Sequence, residues 1–172
     1  MTTTPRPTTS AMSSQLSLQD GKGVIRIEDV YETDIDDLWS ALTDPDRLAR
    51  WFATVEGDLR VRGEFHARFT SSREAPGRID VCQAPDRLMV TIEPDTLDAT
   101  VMEAVLTSEG EQTRLVIEER GLRLEDVAEH GAGWQTHLED LATHLAGGER
   151  GDWHARWIEL TPSYRVLAKD LQ

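Results

Sequence analysis

Glu119 is the residue whose position in the sequence gives it the greatest capacity for chemistry. It follows Leu115 and Ile117 at two-residue intervals, so in an extended strand the three side chains point to one face. If that face is the core, burial raises the pKa of Glu119, and the carboxyl group can bind the polar end of a ligand or act as an acid. The commoner arrangement for an acid is the alternative: the strand ends earlier, and Glu119 pairs near the rim with Arg120 or Arg123.

Three histidines, His130, His137 and His144, recur every seven residues. On a helix this spacing places them along one flank. Seven residues rise about 10.5 Å along the axis, whereas a zinc ligand lies about 2 Å from its ion, so adjacent members cannot share one metal. We therefore expect rim or surface histidines, and the sequence predicts neither a metal site nor a cofactor.

Catalytic sequence patterns are scarce. The chain contains no G-x-S-x-G, no glycine-rich phosphate loop and no H-E-x-x-H. Its one cysteine, Cys82, has no evident base beside it, excludes an internal disulfide and agrees with a reducing compartment. The sequence favours a noncatalytic role and leaves an enzymatic one open.

The charge balance limits the partners of this 172-residue chain, which is long enough for one core. With 32 acids against 18 bases, its formal net charge is −14, and such a surface repels nucleic acid and anionic membranes. No window approaches the roughly 20 apolar residues that cross a bilayer, and the N-terminal stretch lacks the apolar run of a signal peptide. We expect a cytoplasmic protein that binds neither nucleic acid nor membrane.

Hydrophobic periodicity predicts the elements that position these residues. Period-two alternation indicates a first strand over residues 24–31, and two short helices follow, the first capped by Thr33 or Asp34 and the second by Asp44 with Pro45 after it. Period two then returns in five segments, which predict an antiparallel sheet: 59–69, 78–83, 87–93, 100–107 and 113–120.

A helix over residues 127–145 carries one apolar stripe, which should face the sheet. Strand parity then defines a candidate cavity between the two. Each apolar residue taken singly is more often a core residue than a ligand contact. The candidate lining is Phe65, Ala67, Phe69, Ile79, Val81, Val90, Ile92, Leu115, Ile117, Glu119, Trp134, Leu138 and Leu141.

Composition divides the chain into three parts. Residues 1–22 are rich in Thr, Ser and Pro and are predicted to be a disordered tail, and residues 23–147 form the domain. Residues 148–172 form an amphipathic extension, interrupted at Pro162, with Trp153 and Trp157 one helical turn apart. These tryptophans expose a large apolar surface unless the extension folds back, which is the default, or meets a second chain in a homodimer.

Several local motifs recur in an order that is typical of one family. They are Leu38-Trp39 with Leu42, Asp44-Pro45, Trp51-Phe52, Gly63-Glu64-Phe65, Gly121-Leu122, and Gly133-Trp134 followed by Leu138, Leu141 and Leu145. With the order of elements, these motifs resemble the START-like (SRPBCC) superfamily, in its branch named after the activator of Hsp90 ATPase. The resemblance covers about residues 24–145. Arg62 stands where many members have the first glycine of a Gly-Gly pair.

The resemblance implies an α+β helix-grip fold, a curved antiparallel sheet wrapped around a long C-terminal helix with two short helices after the first strand. It also implies that Trp51 and Phe52 lie at the pocket mouth, where a packing role is the commoner one. Relatives of similar fold bind lipids, sterols, polyketides or other apolar molecules, so we expect noncatalytic binding of a small apolar molecule.

Two alternatives remain open. One is a cyclase or hydrolase in which Glu119 or a rim histidine moves a proton within the same cavity. The other is a co-chaperone of a heat-shock ATPase with a role in the stress response, as the family name implies.

Overall fold

The computed structural model describes residues 12–171, which form an eight-stranded antiparallel sheet and four α-helices. The sheet order is β1-β2-β8-β7-β6-β5-β4-β3, and the predicted curved sheet around a long helix is confirmed. No helix in this range has the length and apolar character needed to span a bilayer. The elements are β1 (Ser13–Gln19), β2 (Lys22–Tyr31), α1 (Ile35–Thr43), α2 (Pro45–Trp51), β3 (Ala53–Gly57), β4 (Glu64–Phe69), β5 (Glu74–Gln83), β6 (Arg87–Ile92), β7 (Thr100–Glu109), β8 (Gln112–Leu122), α3 (Val127–Leu145) and α4 (Trp153–Ala168).

The two short helices begin as the sequence predicts. Asp34 caps α1, where its carboxylate accepts a hydrogen bond from the Asp37 amide at 2.8 Å. Asp44 caps α2 in the same way, with Pro45 in the first turn. Both caps satisfy amide groups that a helix leaves without an internal partner.

Strand β1 corrects the prediction that residues 1–22 are disordered. It pairs with β2 from Ser13 opposite Glu28 to Gln19 opposite Lys22, and Leu16 packs against the core. The sequence did not indicate this strand because its residues are mostly Ser and Gln. A mostly exposed edge strand needs few apolar residues, so the usual alternation is weak. Residues 1–11 lie outside the described part of the chain.

The predicted strand over residues 59–69 is also corrected. It is replaced by two antiparallel strands, β3 and β4, joined through a turn at residues 58–63. In that turn Arg62 has a φ of 69°, in the left-handed region that glycine adopts most easily. Arg62 therefore replaces the family's glycine, but its backbone keeps a conformation that suits glycine.

The extension folds back onto the domain as helix α4, which is the default alternative of the sequence analysis. Trp153 is only 8% exposed, and Tyr164 donates to Gln135 Oε1 of α3 at 2.8 Å and lies 2.7 Å from Ser14 Oγ of β1. The predicted interruption at Pro162 is wrong, because α4 continues through it. Dimerisation through the extension stays a prediction.

Gly131 and Gly133 provide a matched test of how α4 docks. A Cβ at Gly131 would lie 2.5 Å from the ring of Tyr164, whereas one at Gly133 would meet Trp153 at an ordinary 3.5 Å. Alanine favours a helix over glycine by about 1 kcal/mol. We expect Gly133→Ala to raise the free energy of unfolding by up to about 1 kcal/mol, and Gly131→Ala to lower it by about 1–3 kcal/mol through overpacking.

Urea denaturation followed by far-UV circular dichroism measures both variants. Equal stabilisation by the two substitutions would contradict the close packing of α4 on α3.

Candidate functional site

A cavity of about 300 Å³ opens between the concave face of the sheet, α3 and α4. Five of its lining residues are Phe or Trp, and its polar lining residues include Glu119 of β8 and His130 of α3. Aromatic side chains combined with converging polar groups are typical of a small-molecule site. The aromatic lining residues are Phe52, Phe69, Trp134, Trp153 and Trp157.

Phe52 is the centre of the aromatic wall. It stacks on Trp134 with ring centroids 5.2 Å apart and an interplanar angle of 23°. The rings of Phe69 and His137 meet it edge-on, at 5.2 and 4.8 Å. Such stacked and edge-to-face contacts hold the rings in fixed orientations, so the wall presents a defined surface to the cavity.

Glu119 is completely buried and has three hydrogen-bonding partners from other elements. Thr100 of β7 donates to Oε2 at 2.9 Å, and the Trp134 indole of α3 donates to Oε1 at 2.9 Å. His130 Nδ1, also from α3, lies 3.2 Å from Oε1. The strand continues to Leu122, so the alternative in which it ends before Glu119 is wrong.

The arginines proposed as rim partners of Glu119 pair elsewhere. Arg120 donates to Glu118 at 2.7 Å and to Glu103 at 3.1 Å, and Arg123 pairs with Asp98. Neighbouring residues on a strand point to opposite faces, which separates Arg120 from the carboxylate beside it in the sequence.

The pKa of Glu119 is shifted in the direction opposite to the sequence prediction. Burial raises the pKa of Glu119, but the hydrogen bond and charge of His130, with hydrogen bonds from Trp134 and Thr100, hold it below its ordinary value. The expected net rise is therefore wrong, because it considered desolvation without the donors. An ionised carboxylate can only accept, so Nδ1 of His130 carries the proton in their hydrogen bond.

His137 corrects the expectation that all three histidines lie at the rim or surface. Its ring is buried, and Nδ1 accepts a hydrogen bond from the indole of Trp153 at 3.3 Å. Burial lowers the pKa of His137 to about 3, although a hydrogen bond to the backbone of Trp51 opposes the shift. His137 is consequently neutral at ordinary pH and fastens α4 to α3. His144, further along the same flank, accepts from Arg47 Nε at 3.2 Å.

Four of the residues predicted to line a cavity do so: Phe52, Phe69, Glu119 and Trp134. A smaller pocket of about 60 Å³ shares Phe52, Met102 and Trp134 with it and includes three more of the predicted residues: Trp51, Val90 and Ile117. Trp51 is nearly inaccessible and donates its indole N–H to the Ala41 carbonyl at 2.9 Å, which is a packing role.

The other predicted residues lie away from both pockets. Leu115, Leu138 and Leu141 fill the main core, Phe65, Ala67 and Ile92 belong to a second cluster, and Ile79 is buried without lining either pocket. The prediction that Val81 lines the cavity is wrong, because a bulge after Ile79 shifts the register of the strand. Val81 now pairs with Met89, whose sulfur contacts Arg87 and Arg120 on the outer face.

Sequence reasoning missed lining residues from several regions: Ser71 and Arg73 of the β4–β5 turn, Glu129 and Gly133 of α3, Met102 of β7, and three residues of α4. Trp153, His154 and Trp157 were assigned to the extension, although their helical spacing was the signal that they needed a surface to cover. Met102 pairs with Glu119 across β7 and β8, and strand parity could have placed it on the same face. Within residues 12–171, no group of three or more His, Cys, Asp or Glu side chains is arranged to hold a metal ion.

The antiparallel sheet closed by a long helix over an aromatic cavity defines a helix-grip protein of the START-like superfamily. Residues 32–146 match the family model described as activator of Hsp90 ATPase homolog 1-like protein. This match spans more than half of the chain, which therefore belongs to that family. A search of curated protein sequences found no significant match.

Solved structures with the same fold include CalU16 from Micromonospora echinospora. Its crystal structure is 26% identical, with a TM-score of 0.75 over 93% of this chain and 98% of that one. Its solution structure gives 25%, a TM-score of 0.81 and coverage of 97% and 100%. DynU16, from the dynemicin biosynthetic locus, matches in fold at 24% identity, with a TM-score of 0.67 over 77% of this chain and 49% of that chain.

Glu119→Gln should destabilise the protein in a pH-dependent way. The pKa of Glu119 is lower in the folded chain, so its charge stabilises the fold above the unfolded pKa, and this contribution is lost as pH falls through the folded value. The amide places an NH₂ group against a donor, which lowers the free energy of unfolding by about 1–3 kcal/mol at pH 7. The difference from the wild type should shrink below about pH 4.

Glu118→Gln is the matched control, because Glu118 points to the outer face and forms partly exposed ion pairs with Arg26 and Arg120. It should change the free energy of unfolding by less than about 1 kcal/mol. Chemical denaturation at several pH values compares the two variants. Equal losses, or a loss at Glu119 that does not vary with pH, would contradict the stabilising role of the buried charge.

Proposed function

We propose that this chain binds a small, flat, largely apolar molecule in the cavity between the sheet, α3 and α4. The observation that supports the proposal is the combination of an aromatic wall with one buried carboxylate, Glu119, in a space of about 300 Å³. Removing apolar ligand surface from water supplies affinity at about 25 cal/mol per Å². The polar groups supply orientation.

The dimensions of the cavity favour a compact ligand. Its volume is at the small end of the range for ligand pockets, roughly 300–1,000 Å³. Phe52 and Trp134 line the cavity with aromatic surface that a ring system can contact. We therefore infer a ligand with one to three rings.

The cavity retains hydrogen-bonding capacity for such a ligand. Glu119 Oε1 faces Trp134 and His130, whereas Oε2 accepts from Thr100 alone. Glu119 has no exposed surface and its oxygens are surrounded by these three groups, so the polar group of the pair that is open to a ligand is the imidazole of His130, whose side chain is 27% exposed. The same pair of Glu119 and His130 favours a catalytic variant of the function, because it gives the cavity a base.

Met102→Trp tests the binding proposal by filling the cavity. Met102 lines it from β7, and the larger indole should occupy space that the ligand needs. We expect affinity for N-phenyl-1-naphthylamine, a neutral apolar fluorophore, to fall at least about tenfold, a loss of about 1.4 kcal/mol. Fluorescence titration measures it, and circular dichroism verifies folding.

Val101→Trp is the control, since the neighbouring side chain on β7 points to the opposite face of the sheet. It should leave the affinity unchanged. Absence of binding by the wild type, or equal affinity in Met102→Trp, would contradict a ligand site in this cavity.

A further inference from the structure

Glu119 and His130 form an oriented acid–imidazole pair at the cavity wall. The carboxylate holds Nδ1–H of the ring at 3.2 Å, which fixes both the tautomer and the direction of the other nitrogen, Nε2. A buried carboxylate that orients an imidazole in this way makes the far nitrogen a proton acceptor.

Nε2 of His130 is free to meet a ligand. Among residues 12–171, His130 has no hydrogen-bond partner other than Glu119, and its side chain is 27% exposed beside the cavity. Trp134, one helical turn further along α3, is held by the same carboxylate. A ligand ring in contact with Trp134 therefore lies beside the imidazole.

The other charged or titratable groups at the cavity come from three elements. Glu129 of α3 lies 3.2 Å from Arg165, and Arg73 of the β4–β5 turn lies 3.9 Å from Glu93. His137 of α3 is neutral, because burial lowers its pKa to about 3 and Trp153 occupies its Nδ1. His154 of α4 is exposed at the mouth and has no carboxylate partner among the described residues.

We propose, on the basis of the binding function proposed above, that the Glu119–His130 pair recognises an ionisable hydroxyl group on the bound molecule, a phenol or an enol, and takes up its proton. The ligand O–H bond breaks, its electron pair stays on oxygen, and a new N–H bond forms at Nε2. The resulting imidazolium lies between the carboxylate and the phenolate or enolate, so its charge is balanced on both sides.

The occupied carboxylate favours a hydroxyl over other polar groups. A cationic amine would need to approach Glu119 directly, but three protein donors already surround its oxygens. A ligand carboxylate would bring a second permanent negative charge into the same apolar cavity, which is unfavourable without a further cation. A hydroxyl group enters the cavity uncharged. It becomes an anion only when its proton passes to the imidazole.

4-Nitrophenol tests the inference, because its phenolate form absorbs visible light. Displacement of N-phenyl-1-naphthylamine reports whether it occupies the cavity, and the visible band reports its ionisation. For the wild type we expect the ratio of phenolate to phenol in the bound compound to exceed that of the free compound about tenfold at the same pH, one pKa unit.

His130→Gln keeps an N–H donor for the carboxylate but cannot take up a proton, so nitrophenol should bind and lose this enhancement. His154→Gln, which removes the exposed histidine at the mouth, should retain it. Circular dichroism establishes that both variants fold. Should His130→Gln unfold, His130→Asn, a shorter amide that also has no proton-accepting nitrogen, gives the same comparison.

Three outcomes overturn the inference: bound nitrophenol that ionises no more than the free compound, an enhancement that persists in His130→Gln, or nitrophenol that fails to displace the fluorophore. In each case the fluorophore still binds, and the proposed binding function stands. Failure of the fluorophore itself to bind would remove the binding function and the inference together.

Discussion

The burial of the Glu119 charge is the constraint on which the rest of the site depends. An ionised carboxylate without water is unfavourable by several kcal/mol unless other groups replace its solvation. Thr100, Trp134 and His130 do so from two elements besides β8, and no arginine or lysine forms an ion pair with Glu119 among the described residues. The positions of β7, β8 and α3 are therefore coupled through a single side chain.

That coupling extends from the carboxylate to the aromatic wall. Trp134 donates to Glu119 with its indole N–H and stacks on Phe52 with its ring, so one residue connects the polar and the apolar parts of the cavity. Phe52 in turn touches His137, which binds the indole of Trp153 on α4. A displacement of α4 would thus reach Glu119 through a short series of packed rings.

Much of the sheet could be predicted from the sequence, because alternation alone fixes which side chains share a face. This argument placed Glu119 with Leu115 and Ile117 on the inner face of β8. It failed at Val81, where a bulge changes the register without a signal in composition, and at β1, whose polar residues suit an exposed edge.

The partners of Glu119 lay beyond sequence reasoning for a different reason. His130 and Trp134 contact Glu119 only because of where α3 packs over the sheet. A helical stripe predicts which face of the helix is buried but not which residues of the sheet it meets. The same limit applied to the extension, where the spacing of Trp153 and Trp157 predicted a buried face without naming the surface that covers it. The positions of the hydrogen-bond donors also decided the direction of the pKa shift of Glu119, because desolvation alone would have raised the pKa.

The most direct test of the account is a ¹³C NMR titration of the Glu119 side-chain carboxyl, assigned by its absence in Glu119→Gln. If three donors stabilise a buried carboxylate, the resonance should keep its ionised position as pH falls from 7 to below the ordinary glutamate pKa of about 4.3. A resonance that titrates above that value would show that desolvation dominates, and would contradict the ionised carboxylate on which the cavity's chemistry is based.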